Sequence, residues 1–503
     1  MAHGPGPGRF TRRDALKAGA VLAGAAVIGC GSDPPALLDP DGGAPPTPDG
    51  APLPPDAGPD TIDASSIDAS PPDASPPDAA PPPTPDQLLA PIDTFVILCM
   101  ENRSYDHYLG ARKLLEGLPG DGLSATMKNP DPAGHDVMVH QLTNYRPADP
   151  PHSWDPVHAQ WNNGAMDGFV RAHAGASQAD VMGYYVRADV PVTWGMADAF
   201  TTCDRYFCST LGPTWPNRLY LHGASSNGVT GNLPAQNFVS LFTKVAAGGK
   251  THKNYFSDIA WAVGGYAKFN DNANIQQFFS DASAGALPNF SIVDPGFFGA
   301  GANDDHPAHD VRLGQAFIGS VYAALRQSPQ WNRCMLVVTY DEHGGFFDHV
   351  PPPEVTDALP SFRRLGVRVP TLVAGPYVRR NQLVSTVFEH SSIASTVTRR
   401  FGLEPLNARA SAAADLSSCI DPALLGSPLP GPALPPAPPV SLLKLRELDR
   451  RLRGAGRPES HAELWDMAEA GLIPRHLDLR HRSLDTAIDW LHAGERLGAV
   501  ELY

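Results

Sequence analysis

At 503 residues, 42% hydrophobic and 18% charged, the chain is long enough for one large or two ordinary domains with a true core, which excludes disorder throughout. Its formal charge of -15 is concentrated in one segment: eleven Asp in residues 33–86 and a net +3 in residues 1–32 leave -7 for residues 87–503. With that remainder and no basic stripe, composition argues against a nucleic-acid partner.

Taken in chain order, Thr11-Arg12-Arg13-Asp14-Ala15-Leu16-Lys17 is a twin-arginine pattern, and the apolar run from Ala18 to Gly29 behind it is too short to span a bilayer. Val27-Ile28-Gly29-Cys30 resembles a bacterial lipobox, with Ile28 where Ala or Ser is commoner. Residues 1–30 therefore read as a signal for twin-arginine export. Lipidation at Cys30 is expected to hold the protein on a bacterial membrane, in the periplasm or at the cell surface. Residues 31–86 repeat Pro-Pro-Asp-Ala and similar units; 18 Pro among the 54 residues from Asp33, with hardly a large apolar side chain, predict an extended solvated tether. The folded part begins near Gln87.

Ile92 to Met100 is a continuous apolar run that stops at Glu101-Asn102-Arg103. Unbroken rather than alternating hydrophobicity predicts a strand covered on both faces, as in a parallel sheet. Cys334 to Tyr340 runs likewise into Asp341-Glu342-His343, and Val369 to Ala374 into Gly375-Pro376. Val311 to Gln327 and Ser391 to Phe401 space their apolar positions as helices. Strands alternating with helices predict an α/β sandwich, in which ligands bind beyond the C-terminal ends of the strands. Residues 87–426 form this catalytic domain. Residues 427–503 read as a Pro-rich connector and a helical appendage, with helices over 442–453 and 484–497.

The chemistry sits at those strand ends. Glu101-Asn102 and Asp341-Glu342 offer oxygen donors and no thiol, a shell suited to Mg, Ca or Mn that also holds Fe or Zn. Either pair alone is as well explained by helix capping; two pairs, each ending a buried strand, point to a shared divalent cation. In Gly212-Pro213-Thr214-Trp215-Pro216-Asn217-Arg218 a hydroxyl stands at the start of a Pro-initiated helix, where free N–H groups favour an anion. Alone, Thr214 would be a cap; beside a cation that lowers its hydroxyl pKa it becomes a nucleophile. His152 and His158, with Asp305 and His306 of Asn303-Asp304-Asp305-His306-Pro307, offer donors to developing negative charge and an acid for a leaving oxygen. His309 reads as a surface residue and His390 as structural. Of the cysteines after Cys30, Cys99 and Cys334 read as buried thiols, while Cys203 and Cys208 are close enough in sequence to bridge, a question that spacing leaves open.

Met100-Glu101-Asn102-Arg103-Ser104-Tyr105-Asp106-His107, the Gly212 to Arg218 segment, Asp305-His306-Pro307 and Tyr340-Asp341-Glu342-His343-Gly344-Gly345-Phe346-Phe347-Asp348-His349 resemble the ordered signatures of the bacterial phosphoesterase family. That family contains non-haemolytic phospholipases C and a class of acid phosphatases, and is similar in fold to alkaline phosphatase. The resemblance covers roughly Asp93 to Leu403 and implies an alkaline-phosphatase-like three-layer sandwich with a mostly parallel central sheet. It implies that Glu101, Asn102, Asp341 and Glu342 bind the metal with the Thr214 oxygen, that Thr214 is phosphorylated and then released by water, and that His152 or His158, with Asp305 and His306, contacts the phosphoryl group or protonates the leaving group. Thr rather than Ser at the nucleophile position resembles the phospholipase C branch. The implied partners are a phosphate-ester substrate, with a phospholipid headgroup as one class, and the membrane through the Cys30 anchor. Hydrolysis of phosphomonoesters is the alternative, and a non-catalytic tethered lipoprotein the third reading. A sulfatase is disfavoured because Cys208-Ser209-Thr210-Leu211-Gly212 lacks the Cys-x-Pro-x-Arg pattern that chemistry needs.

Overall fold

A computed structural model describes residues 81–503 apart from Ala455. The twin-arginine stretch, the lipidation candidate Cys30 and the Pro/Asp-rich segment as far as residue 80 lie outside the described residues.

All seven residues of β1 (Thr94–Met100) are buried, as are all seven of β6 (Cys334–Tyr340), which is why both read as unbroken apolar runs. They lie at the centre of an eight-stranded sheet with β2 (Thr201–Thr202), β3 (His252–Phe256), β4 (Asn272–Asn274), β5 (Phe290–Asp294), β7 (Leu372–Ala374) and β8 (Gln382–Leu383), in the order β8-β2-β7-β6-β1-β5-β3-β4. Only β7 runs against its neighbours; every other strand points the same way. The run expected from Val369 contracts to Leu372–Ala374 and is the reversed strand. Between β6 and β7 no α-helix provides the crossover that a parallel return needs, so the chain comes back antiparallel.

The helices relevant here are α1 (Trp154–Trp161), α2 (Thr214–Gly223), α3 (Val311–Arg326), α4 (Ser391–Arg400), α5 (Leu442–Leu452), α6 (Ala462–Glu469) and α7 (Ser483–Arg496). Asp310 caps α3, its carboxylate accepting from Arg312 N at 3.1 Å. Along α3 the buried residues take nearly the whole surface, and α7 packs on it with Trp490 edge-on to Phe317 at 5.1 Å. A separate apolar cluster joins Trp215 and Leu219 of α2 to Trp261, Phe297 and Phe298, and to Leu464, Ala468, Ile473 and Leu477 from the C-terminal region. Of the C-terminal helices, α6 thus shares an apolar cluster with the helix that carries Thr214.

Among the cysteines, Cys203 Sγ lies 3.9 Å from Cys419 Sγ, whereas Cys208 Sγ faces the Thr210 carbonyl at 3.6 Å. Cys203 and Cys208 are therefore not partners, despite their closeness in sequence. Both Cys99 and Cys334 are buried free thiols.

Candidate active site

Register builds the site. In the parallel β1–β6 pair Met100 lies opposite Tyr340, so the next residues, Glu101 and Asp341, leave the sheet side by side. Asn102 follows in the left-handed region, at φ 62°, which turns the chain back across the strand end. Its N–H donates to Asp341 Oδ1 at 3.0 Å, and Glu342 N–H donates to the same oxygen at 2.7 Å. Gly344 then crosses over Asn102 so closely that a Cβ there would sit 2.2 Å from the Asn102 carbonyl oxygen; its φ is 62° as well. Only glycine serves both demands.

Thr214 is the first residue of α2, and its Oγ1 donates to Glu101 Oε2 at 3.3 Å. One helical turn later Arg218 projects from the same face. Its Nε lies 2.7 Å and its Nη2 2.5 Å from Glu101 Oε1, while Asp294 is 3.5 Å and Asp341 3.7 Å away, every one of these side chains wholly buried. Burial raises the Glu101 pKa well above the ordinary carboxylate value, against the lowering pull of Arg218.

Around this point three buried oxygens, Asn102 Oδ1, Asp341 Oδ2 and Glu342 Oε1, have no hydrogen-bond partner. Buried acceptors are normally satisfied, and leaving them bare is destabilising. Oxygen donors of this kind are the chemistry of a hard divalent cation, while Glu101, Asp341 and Glu342 are not among the acidic and histidine groups of the described residues whose ligand atoms lie within 4.8 Å of one another.

Of the two histidines proposed from α1 and the segment before it, only His152 reaches the cluster. Its Nε2 lies 3.2 Å from Asn102 Nδ2 and 4.0 Å from Glu342 Oε1, and its Nδ1 donates to the Pro150 carbonyl at 2.7 Å. Burial opposes its charge, but Asp149 and Glu342 outweigh this and raise its pKa to about 10. His158 instead donates Nδ1 to the Trp154 carbonyl at 2.8 Å and stacks among Trp154 and Trp161. Trp154, rather than His158, packs over Gly212 of the Thr214 segment.

His306 faces His152 with ring centroids 5.6 Å apart. Burial, reinforced by His461 and His152, lowers its pKa to about 4. Asp149, His152 and His306 bring ligand atoms within 4.8 Å of one another, a second donor set beside the first. Asp305, by contrast, turns away from the cluster. Its Oδ2 accepts from Tyr340 at 2.7 Å, and it presses on α3 so tightly that a Cβ at Gly314 would lie 1.8 Å from its Oδ1. Burial pushes its carboxyl up to about 7. Asp305 has a φ of 72°, and its side chain lies between Tyr340 of β6 and Gly314 of α3. The neighbouring Asp304 is the one turned to the histidines: it pairs with His309 Nδ1 at 2.6 Å and with His461 Nε2 at 3.0 Å. His309 is therefore held against a buried carboxylate rather than being a simple surface residue. His390 donates Nε2 to the Asp341 carbonyl at 2.7 Å, the structural part expected of it.

Sequence reasoning passed over Arg218, Asp149, Asp304 and His461. Arg218 carried a usable signal, four residues after Thr214 on one helix. His461 lies in a tail with no motif, and nothing local marks it.

A second group of acids gathers around Arg368, whose Nε is 2.9 Å from Asp348 and Nη2 3.3 Å from Asp106. His349 bridges Asp106 at 2.6 Å and Asp121 at 3.0 Å. Arg368 supplies the cation here, so this is an ion-pair network. Burial disfavours the His349 charge, but Asp106 and then Asp348 prevail and raise its pKa to about 9. In the unfolded chain it titrates near ~6.5. Its stabilising effect is therefore complete below pH ~6.5 and is lost as pH rises through about 9. Stability should fall by on the order of 1–3 kcal/mol over that interval, and His349→Gln should flatten the slope there. Urea unfolding of both proteins at several pH values measures this; parallel slopes would refute it.

A hydroxyl at a helix start, oxygen donors at adjacent strand ends and paired histidines, set at the C-terminal edge of an α/β sheet, agree with a hydrolase acting on ester bonds. The chain belongs to the phosphoesterase family, whose model matches residues 92–263 and 239–404. It is 35% identical over 362 residues to the non-specific phospholipase C6 of Arabidopsis thaliana, covering 63% of this chain and 69% of that protein. With phospholipase C B of Mycobacterium tuberculosis it shares 31% identity over 390 residues, 63% of this chain and 74% of that one. Among solved structures, the phosphonate monoester hydrolase of Agrobacterium radiobacter aligns at a TM-score of 0.34 and 11% identity, covering 65% of this chain and 77% of that one.

Proposed function

We propose that the protein is a metal-dependent phosphodiesterase of phospholipase C type, acting through a phospho-threonine. The observation that supports this reading is the Thr214 hydroxyl 3.3 Å from Glu101 Oε2, at strand ends where Asn102 Oδ1, Asp341 Oδ2 and Glu342 Oε1 are buried without a hydrogen-bond partner. Glu101, Asn102, Thr214, Asp341 and Glu342 would hold a divalent cation, which when bound supplies a Lewis acid and lowers the hydroxyl pKa of Thr214.

Thr214 Oγ attacks phosphorus as the P–O bond to the alcohol breaks, and the proton that the Thr214 hydroxyl gives up ends on the departing alcohol oxygen. Water then cleaves the phospho-threonine, restoring the hydroxyl and releasing the phosphoryl product. His152 borders the site and can hydrogen-bond a phosphoryl oxygen; His306, lowered to about 4, is neutral and can take a proton from the attacking water. The identity of Thr at position 214 and the relatives' names support the diester over the monoester. A comparison of p-nitrophenyl phosphorylcholine with p-nitrophenyl phosphate tests this choice: faster turnover of the choline diester is expected, and faster turnover of the monoester would favour an acid phosphatase.

Glu342→Gln removes charge from a carboxylate whose Oε1 has no hydrogen-bond partner. It should lower bound metal at least about 10-fold in affinity. Elemental analysis of purified protein checks the assignment, and an equal metal:protein ratio in both forms would remove Glu342 from the ligand set.

A further inference from the structure

The residues matched by the family end at 404, yet the site does not. We propose that the C-terminal segment is a working part of the active site, in which His461 is a positioning residue that fixes Glu101 and His306 through Asp304.

The chain of contacts is short. His461 Nε2 lies 3.0 Å from Asp304 Oδ2. The other oxygen of that carboxylate accepts from the His306 N–H at 3.1 Å and faces His309 Nδ1 at 2.6 Å. The Asp304 carbonyl accepts from Glu101 N–H at 2.7 Å, the first residue beyond β1 and the partner of the Thr214 hydroxyl. One carboxylate-bearing residue thus sets the backbone of a metal-ligand candidate and the backbone of a phosphoryl-site histidine, and His461 sets that carboxylate. Its ring also fills the space beside His306, with centroids 5.1 Å apart, and rests on Phe297 at 4.5 Å.

His461 itself is held in a conformation that the chain does not choose freely: its φ is 50°, left-handed for a non-glycine residue. Such a backbone persists only where its surroundings impose it. Here they do so on both sides. Leu464 is fully buried and packs with Trp215 of the Thr214 helix, and the Arg480 guanidinium stacks over Trp465 at 4.2 Å. Leu479 N–H donates to the Asp258 carbonyl at 2.8 Å, and Asp258 Oδ2 accepts from Phe297 and Phe298 N–H at 2.8 Å each. Residues 461–479 are thereby fastened to the loop that leads from β5 to Asp304. A histidine acting on the groups that touch the metal or the substrate, without touching either, alters turnover more than binding.

This inference rests on the ester-hydrolase reading, and two variants of the full chain separate the two. His461→Phe keeps the ring and removes the donor; His461→Gln keeps a donor. With p-nitrophenyl phosphorylcholine, His461→Phe should lower kcat by about 10–100-fold with KM changed less than about threefold, and His461→Gln should recover most of the loss. Hydrogen exchange of peptides covering 94–105 and 297–310 should accelerate in His461→Phe and return toward wild type in His461→Gln. A kcat for His461→Phe within about twofold of wild type, or equal losses in both variants in step with lower thermal stability, would overturn the proposal. If the wild-type protein hydrolyses no phosphoric ester, the hydrolase reading fails, and the exchange comparison alone then decides the clamp: unchanged exchange in His461→Phe refutes it, and faster exchange rescued by Gln upholds it.

Discussion

Thr214→Ala should lower turnover of p-nitrophenyl phosphorylcholine by at least about 10²–10³-fold in metal-replete protein, the scale of losing a key group at the reacting centre. The side chain is small, buried and placed at the first turn of α2, so its removal leaves a minor void and no broken ion pair. Its one hydrogen bond goes to Glu101 Oε2, and that carboxylate keeps Arg218 through its other oxygen. Folding should therefore stay near wild type while kcat collapses, and bound metal should fall because one of its oxygen ligands is gone. Unchanged circular dichroism alongside the lost rate is the expected pattern. Near wild-type turnover would remove Thr214 from the chemistry.

Arg218→Met carries the largest expected effect on stability. The guanidinium is wholly buried among Glu101, Asp294 and Asp341, and it also donates to the Cys99 carbonyl at 3.1 Å. Methionine would fill much of the volume but leave three buried carboxylates without their cation. Breaking a buried pair by removing one partner is destabilising by about 3–5 kcal/mol, because the remaining charge stays desolvated. The unfolding midpoint in denaturant should drop accordingly. Because Arg218 also holds Glu101 against the Thr214 hydroxyl, activity should fall even where the variant remains folded. A midpoint equal to that of wild type would mean that the carboxylates are balanced by other means, a bound cation foremost.

How much of this could be read without coordinates depended on the kind of signal each residue carried. β1 and β6 announced themselves because burial on both faces forces an unbroken apolar run, and their ends therefore located Glu101, Asn102, Asp341 and Glu342. The helices Val311–Arg326, Ser391–Arg400, Leu442–Leu452 and Ser483–Arg496 fall within a residue or so of their predicted bounds, since apolar residues at helical spacing mark a helix well. β3 was invisible: His252-Lys253-Asn254-Tyr255-Phe256 is half polar, and its Asn254 is buried only because its amide reaches Asp294 at 3.0 Å. The helix Ala462–Glu469 escaped for a different reason, as it is short and its apolar face meets Trp215, a partner some 250 positions earlier.

The same distinction governs the site. Composition and strand position identify oxygen donors, but not which side chain of a pair turns outward. Asp304 and Asp305 are adjacent and chemically alike, and only the left-handed backbone at Asp305 decides that Asp304 meets the histidines. His152 and His158 are likewise both plausible by type; the start of α1 at Trp154 leaves His152 free in the preceding segment and turns His158 onto its own helix.

The most direct measurement is acid-quenched turnover followed by mass spectrometry of the peptide that contains Thr214, with a phosphorylcholine diester as substrate. A phosphoryl adduct should appear on Thr214 during turnover, disappear when substrate is exhausted and be absent from Thr214→Ala. An adduct on another residue, or steady hydrolysis by Thr214→Ala at the wild-type rate, would contradict it.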